Sequence, residues 1–225
     1  MTTLTSPQRT VAPVARRAIL LGVPLAFAAL TLLHPQQDPH ELGSAATRWL
    51  VVHALQLILT VLLAYSIWML LDGLSGRAAS IARGAIPAFL VFFSAFDGVA
   101  GLATGWLEQD AHHHGTADQA TIRAAIDELF NGNWLTGNLS IAGAATAFSW
   151  LAITIASAVA LHQAGAGGLT VAAMAATSLF ASHPPPFGTI GLLAFFLAAY
   201  RWDRRRRALG ITGPGAGSPP ASRPE

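Results

Sequence analysis

Residues 169–200 read LTVAAMAATSLFASHPPPFGTIGLLAFFLAAY, an apolar run broken once, at Pro184, Pro185 and Pro186. A helix that crosses a bilayer needs about 20 predominantly apolar residues, because the hydrocarbon core is about 30 Å thick and each helical residue rises about 1.5 Å. The run is too long for one such helix. Consecutive prolines remove backbone donors and clash with the preceding turn, so one helix does not continue through them. Two helices joined by a tight turn at residues 182–188 are expected. Each is short unless it takes in neighbours such as Ala164 to Gly168 or Arg201 and Trp202, and a re-entrant pair is the alternative.

Outward from this pair, four more apolar runs have the length of a span. They are Ala18 to Leu33 behind Arg16 and Arg17, about Leu50 to Leu71, about Gly84 to Leu107, and about Leu139 to Leu161 after the break at Asn131, Gly132 and Asn133. The fold class is then all-α, a polytopic transmembrane helical bundle of six spans. Composition agrees, since 53% of the 225 residues are hydrophobic and 11% are charged. Soluble domains carry roughly twice that charged fraction.

All 13 basic residues are Arg. Arg in short loops is retained on the cytoplasmic side. With six spans and an inner N-terminus, Arg9, Arg16, Arg17, Arg77, Arg83, Arg201, Arg204, Arg205, Arg206, Arg207 and Arg223 fall inside, and only Arg48 and Arg123 fall outside. A five-span chain would place the Arg204 to Arg207 cluster outside. The expected localisation is therefore the cell membrane, with both termini cytoplasmic. Residues 1–17 form an inner N-terminal segment, 18–202 the bundle with an outer loop over 108–137, and 203–225 a disordered cytoplasmic tail rich in Gly, Pro and Ser. The first span is read as an uncleaved anchor, since its exit Leu32-Leu33-His34-Pro35-Gln36 has no small-x-small cleavage site. Trp49, Trp106 and Trp134 are expected at the outer interface, and Trp68 and Trp202 at the inner one.

The formal charge of +2 does not indicate a nucleic-acid partner. The Arg sit at the ends of apolar runs and form no basic face with interleaved aromatics. The partner implied is the lipid bilayer. Cysteine is absent, which excludes disulfides and thiolate chemistry. No Walker A loop, dinucleotide fingerprint, G-x-S-x-G elbow or S-x-x-K pair is present. In the outer loop, Thr116 and Gln119 have capping-box spacing, and Ile122, Ile126, Leu129 and Phe130 recur as on a surface helix.

Ionisable groups inside a span are costly, about 2.5 to 3.5 kcal/mol on insertion scales, and need a partner. Asp97 lies near the middle of the third span, with Ser94, Gly101 and Thr104 at offsets of three, four and seven. Gly101 and Gly105 form a G-x-x-x-G pair, a surface for a second copy or a membrane partner. On the second span His53, Gln56 and Thr60 share one face. Asp97, Ser94, His53 and Gln56 thus make a candidate intramembrane polar site. Seven of the eight histidines, His34, His40, His53, His112, His113, His114 and His183, belong to the outer half, with His162 at the inner end. Imidazole binds zinc, copper or nickel, so His53, Asp97 and His183 are the candidate metal ligands. No H-E-x-x-H or H-x-x-x-H spacing supports them, and no cofactor is required.

An intramembrane His, a Ser and Asp on the next helix and a late His resemble in part the membrane hydrolase superfamily of alkaline ceramidases and progestin/adipoQ receptors. That resemblance implies zinc, with His53 and Asp97 at the positions of the early-helix His and the Asp. The chain departs from it, since His183 has no second His four residues away and no Ser stands four before His53. The runs Phe93-Ser94-Ala95-Phe96-Asp97-Gly98-Val99-Ala100-Gly101 and His183-Pro184-Pro185-Pro186-Phe187-Gly188 are more similar to a family of small bacterial multi-pass membrane proteins of uncharacterised activity. That resemblance implies the architecture alone. A structural or accessory membrane subunit is the reading that results. The alternatives are a small transporter, channel or sensor built on Asp97, His53 and Gln56, and a metal-dependent membrane hydrolase.

Overall fold

A computed structural model describes residues 13–36, 43–132, 134–135 and 140–209. Residues 1–12, His40, Asn133, Gly137, Leu139 and the tail from residue 210, about which the sequence raised expectations, lie outside the described residues. All regular structure among the described residues is helical. Eight α-helices follow in order: α1 Pro13–Leu32, α2 Ala46–Leu70, α3 Arg77–Asp97, α4 Thr104–Ala111, α5 Thr116–Asp127, α6 Ile141–Gln163, α7 Gly168–Ala176 and α8 Phe187–Ala208. A π-helical segment, Gly98–Ala103, joins α3 to α4 without interruption, and a 3-10 segment, Thr177–Ala181, extends α7.

Local chemistry explains the boundaries. Pro13 stands at the first position of α1, where its missing N–H costs nothing. Ser140 caps α6 by accepting from the Gly143 N–H at 3.0 Å. The prolines at 184–186 separate the 3-10 end of α7 from α8, as the sequence requires. α8 runs on through Asp203 and the four arginines to Ala208, so residues 203–208 are helical and not tail. Cations in the last turn suit the negative helix end, and Asp203 faces one of them, Arg207, together with Arg16 and Arg17 from the start of α1. Its carboxylate lies 3.8 Å from Arg16, 3.6 Å from Arg17 and 3.2 Å from Arg207.

These contacts also show how the helices run. Arg16 donates to the Met69 carbonyl at 2.7 Å, and Arg206 donates to the Asp72 carbonyl at 2.9 Å. The start of α1 and the ends of α2 and α8 therefore share one end, here the arginine end. The Thr31 and Thr189 hydroxyls meet at 2.8 Å toward the opposite, histidine end. Among the described residues, the helices run between the two ends in six passes, α3 and α4 counting as one and α7 with its 3-10 extension as another. Four helical stretches among the described residues are long and apolar enough to cross a membrane: Val14–Leu32, Gly43–Leu70, Arg77–Ala111 and Ile141–Gln163. The Gly168–Ala181 stretch is shorter, and α8 turns basic at Arg201.

The core runs down the bundle axis through Phe27, Leu63, Ile67, Phe89, Trp150 and Phe195, all fully buried. α2 exposes Val51, Leu55, Ile58 and Leu62, at offsets of four, seven and eleven, on the side away from that core. An exposed apolar stripe of this kind is disfavoured in water and favoured against lipid. Trp106, Trp134 and Trp68 are exposed as an aromatic belt requires, but Trp49 and Trp202 are buried. Their helices pack closely at those levels, and the rings fill the interior. The third pass continues to Ala111, so Glu108 and Asp110 are helical and the connection begins only at His112. α5 occurs where the outer-loop helix was expected, with Ile126 fully buried. Thr116 does not cap it: Gly115 occupies the N-cap, placing Thr116 inside the first turn, and the Gln119 amide donates instead to the His114 carbonyl at 3.0 Å.

Candidate metal centre

Three histidines reach one point from three separate segments. His34 follows α1 by two residues, in a turn closed by its N–H to the Thr31 carbonyl at 3.1 Å. His53 lies in the second turn of α2, on the buried face with Gln56 and Thr60. Its ring rests on Gly101 of the π segment, where any Cβ would collide with it. His183 sits in the proline-bearing turn between the 3-10 segment and α8. Gly188 makes that turn feasible, because a Cβ there would strike the His183 carbonyl.

One ring nitrogen from each of His34, His53 and His183 lies within 4.8 Å of the others. The rings meet edge to face, His34 with His53 at 5.0 Å, His34 with His183 at 5.4 Å and His53 with His183 at 6.2 Å between centroids. Trp49 closes the side of the cluster, 4.5 Å from His53, and its indole N–H donates to the Gly101 carbonyl at 2.8 Å. Asp97 is adjacent: its Oδ1 is 3.9 Å from His53 Nε2 and accepts from Gln56 Nε2 at 3.3 Å, while Oδ2 has no hydrogen-bond partner.

Hydrogen bonding sets the tautomers of two rings. His34 Nδ1 contacts the Pro35 carbonyl at 2.7 Å, and His53 Nδ1 contacts the Trp49 carbonyl at 2.8 Å. A carbonyl only accepts, so both Nδ1 atoms carry the proton and both Nε2 atoms present a lone pair. Backbone carbonyls commonly orient metal-binding imidazoles in this way. His34 Nε2 is buried with no partner, an arrangement that costs about 1 to 3 kcal/mol for a polar atom. Burial, the largest cause, lowers the pKa of His34 and holds that of His183 well below the usual imidazole range. Both rings are therefore neutral near pH 7, the form that ligates a metal.

The cluster forms one end of a chamber of about 590 Å³ lying mainly between α3 and α6. Phe89, Phe93, Phe96, Trp150 and Phe180 form its apolar walls, and Ala144 and Ala147 leave the space open on the α6 side. Its floor is fixed: Trp150 packs on Phe89 at 4.9 Å and on Phe180 at 5.1 Å, and its indole N–H donates to the Thr177 carbonyl at 3.1 Å.

The structure unites His53, Gln56 and Asp97, but Ser94, about 60° from Asp97 around α3, is exposed and takes no part. The bulkier Phe93, four residues before Asp97, faces inward in its place. Of the expected ligand set, His53 and His183 converge, and His34 supplies the third nitrogen where Asp97 was expected, leaving the carboxylate beside the cluster. His34 was legible only as one of the outer histidines, and the signal was its place at the exit of a span, level with His53. The loop histidines are elsewhere: His114 Nε2 pairs with Asp110 at 3.2 Å on the surface. Gly101 and Gly105 do admit a close neighbour, which within this chain is α2, through His53 and Trp49. No protein-family model, curated protein or solved structure matches the chain.

Proposed function

We propose that this chain is a membrane metalloprotein whose centre is one transition-metal ion, zinc in the first place, held by His34, His53 and His183. The observation that carries the reading is the convergence of three ring nitrogens within 4.8 Å, from segments far apart in sequence. Neutral imidazole is a good zinc ligand, and three protein ligands with a fourth position open mark zinc sites of the catalytic type. Ligation at about 2.0–2.1 Å requires the rings to draw in from their present spacing. His34, His53, His183 and Asp97 all line the chamber, so an ion held by the histidines would be open to it, and Asp97 could accept a hydrogen bond from a water bound there. A purely structural or accessory role leaves the unpaired His34 Nε2 and Asp97 Oδ2 without a purpose.

The same reading takes all six passes as membrane spans, the arginine end as cytoplasmic and the metal centre near the outer surface. The positions of the arginines support this orientation. The two short passes pack on each other and each on an apolar span, α7 on α6 and α8 on α1.

The test is metal analysis of detergent-purified protein after zinc loading, for wild type, His34→Ala, His53→Ala, His183→Ala and Asp97→Asn. One zinc per chain is expected in wild type, with loss in each histidine variant at unchanged helix content. Asp97→Asn should keep zinc at an affinity about 10- to 100-fold lower, as outer-shell changes do. A loaded wild type that holds no metal removes the centre.

A further inference from the structure

The chamber beside the histidines has a polarity gradient that specifies more than a metal. At one end stand the three imidazoles and Asp97; at the other the lining is aromatic. Phe89 and Asp97 both line it and lie eight residues apart on α3, which at about 1.5 Å per residue makes it about 12 Å deep. Tetrahedral carbons bonded at about 1.5 Å advance about 1.25 Å per bond, so that depth takes a chain of about ten carbons. The volume of about 590 Å³ falls within the range of small-molecule sites, roughly 300 to 1,000 Å³. The floor of Trp150, Phe89 and Phe180 is locked by ring contacts and a hydrogen bond, so the depth is a fixed limit.

We infer that this chamber takes one acyl chain of a single-chain amphiphile, tail against the aromatic floor, with a carbonyl or carboxylate head at the three histidines. The inference rests on the metal reading for the head and on the chamber alone for the tail. A membrane supplies such molecules directly. An imidazole-bound metal with an open position attracts an oxygen ligand, and the apolar walls gain from each methylene buried until the floor is reached.

The probes are alkyl hydroxamic acids, which grip zinc through two oxygens, with chains of two, six, ten and sixteen carbons. Binding is measured by calorimetry on the zinc-loaded full chain in lipid nanodiscs, with zinc content determined on the same samples. Affinity is expected to rise at least about tenfold from two to ten carbons and to level off at sixteen. Ala147→Phe, which fills the chamber, should abolish the rise while keeping one zinc per chain; the smaller Ala144→Leu gives the same reading should the first variant not fold. One zinc with chain-independent affinity, or an equal rise through sixteen carbons in wild type and both variants, overturns the chamber and leaves the centre intact. Absence of zinc overturns the centre, and with it the anchor for the head.

Discussion

Gly101 is where the candidate centre depends most on a single atom. Its missing side chain leaves room for the His53 ring, whose Cδ2 neighbours the nitrogen that faces His34 and His183. Gly101→Ala forces that ring aside and is expected to lower zinc affinity at least about tenfold, equivalent to about 1.4 kcal/mol. Gly98, one turn earlier, has open space where a Cβ would project, so Gly98→Ala should leave affinity unchanged. Zinc titration of the two variants checks this, and equal affinities would show that His53 is not held by Gly101. The sequence marked Gly101, through its spacing from Gly105, as a place of close approach, but not that the neighbour is the His53 ring of this chain. Ser94 teaches the same lesson: spacing places it about 60° from Asp97 around α3, but the volume of Phe93 decides which side turns inward.

Among the elements, α5 and the end of α8 are held by different forces. α5 is attached through fully buried Ile126 and through Arg123, whose guanidinium stands 3.8 Å from buried Glu108, near enough for attraction and too far for a hydrogen bond. Ile126→Ala at a buried site costs about 2 to 5 kcal/mol. Tryptic cleavage at Arg123 is expected to accelerate at least about tenfold, with zinc content unchanged; an unaltered rate would mean that α5 is held elsewhere. At the arginine end Asp203 gathers Arg16, Arg17 and Arg207, two of them nearly half exposed, so solvent screens the pairs. Asp203→Asn should lower stability by about 1 kcal/mol at low ionic strength and by less in high salt, read as a melting shift. The surface helix was visible in the period of Ile122, Ile126, Leu129 and Phe130. Its cap was not, because Gly115 and Thr116 compete for one position and backbone geometry settles the choice.

At the scale of the whole molecule, the six passes and the clustering of arginine at one end predict a topology. Reporter fusions after Arg77 and Arg207 should report the cytoplasm, and a fusion after Asp118 the outside. An external signal after Arg207 would remove the six-span reading.

The sequence alone determined that the chain is helical and apolar, where the proline break divides its last run, and that arginine and histidine gather at different ends. Hydropathy and charge act residue by residue along the chain, so these features needed no partner to be read. Only the tertiary structure decided that His34 joins His53 and His183, that Asp97 stands beside them, and that an aromatic chamber opens below. Those outcomes depend on the rotation of each helix about its axis and on how closely neighbours approach. Both are set by side-chain volumes meeting across helices, such as Gly101 beneath His53, which no pattern within one segment contains.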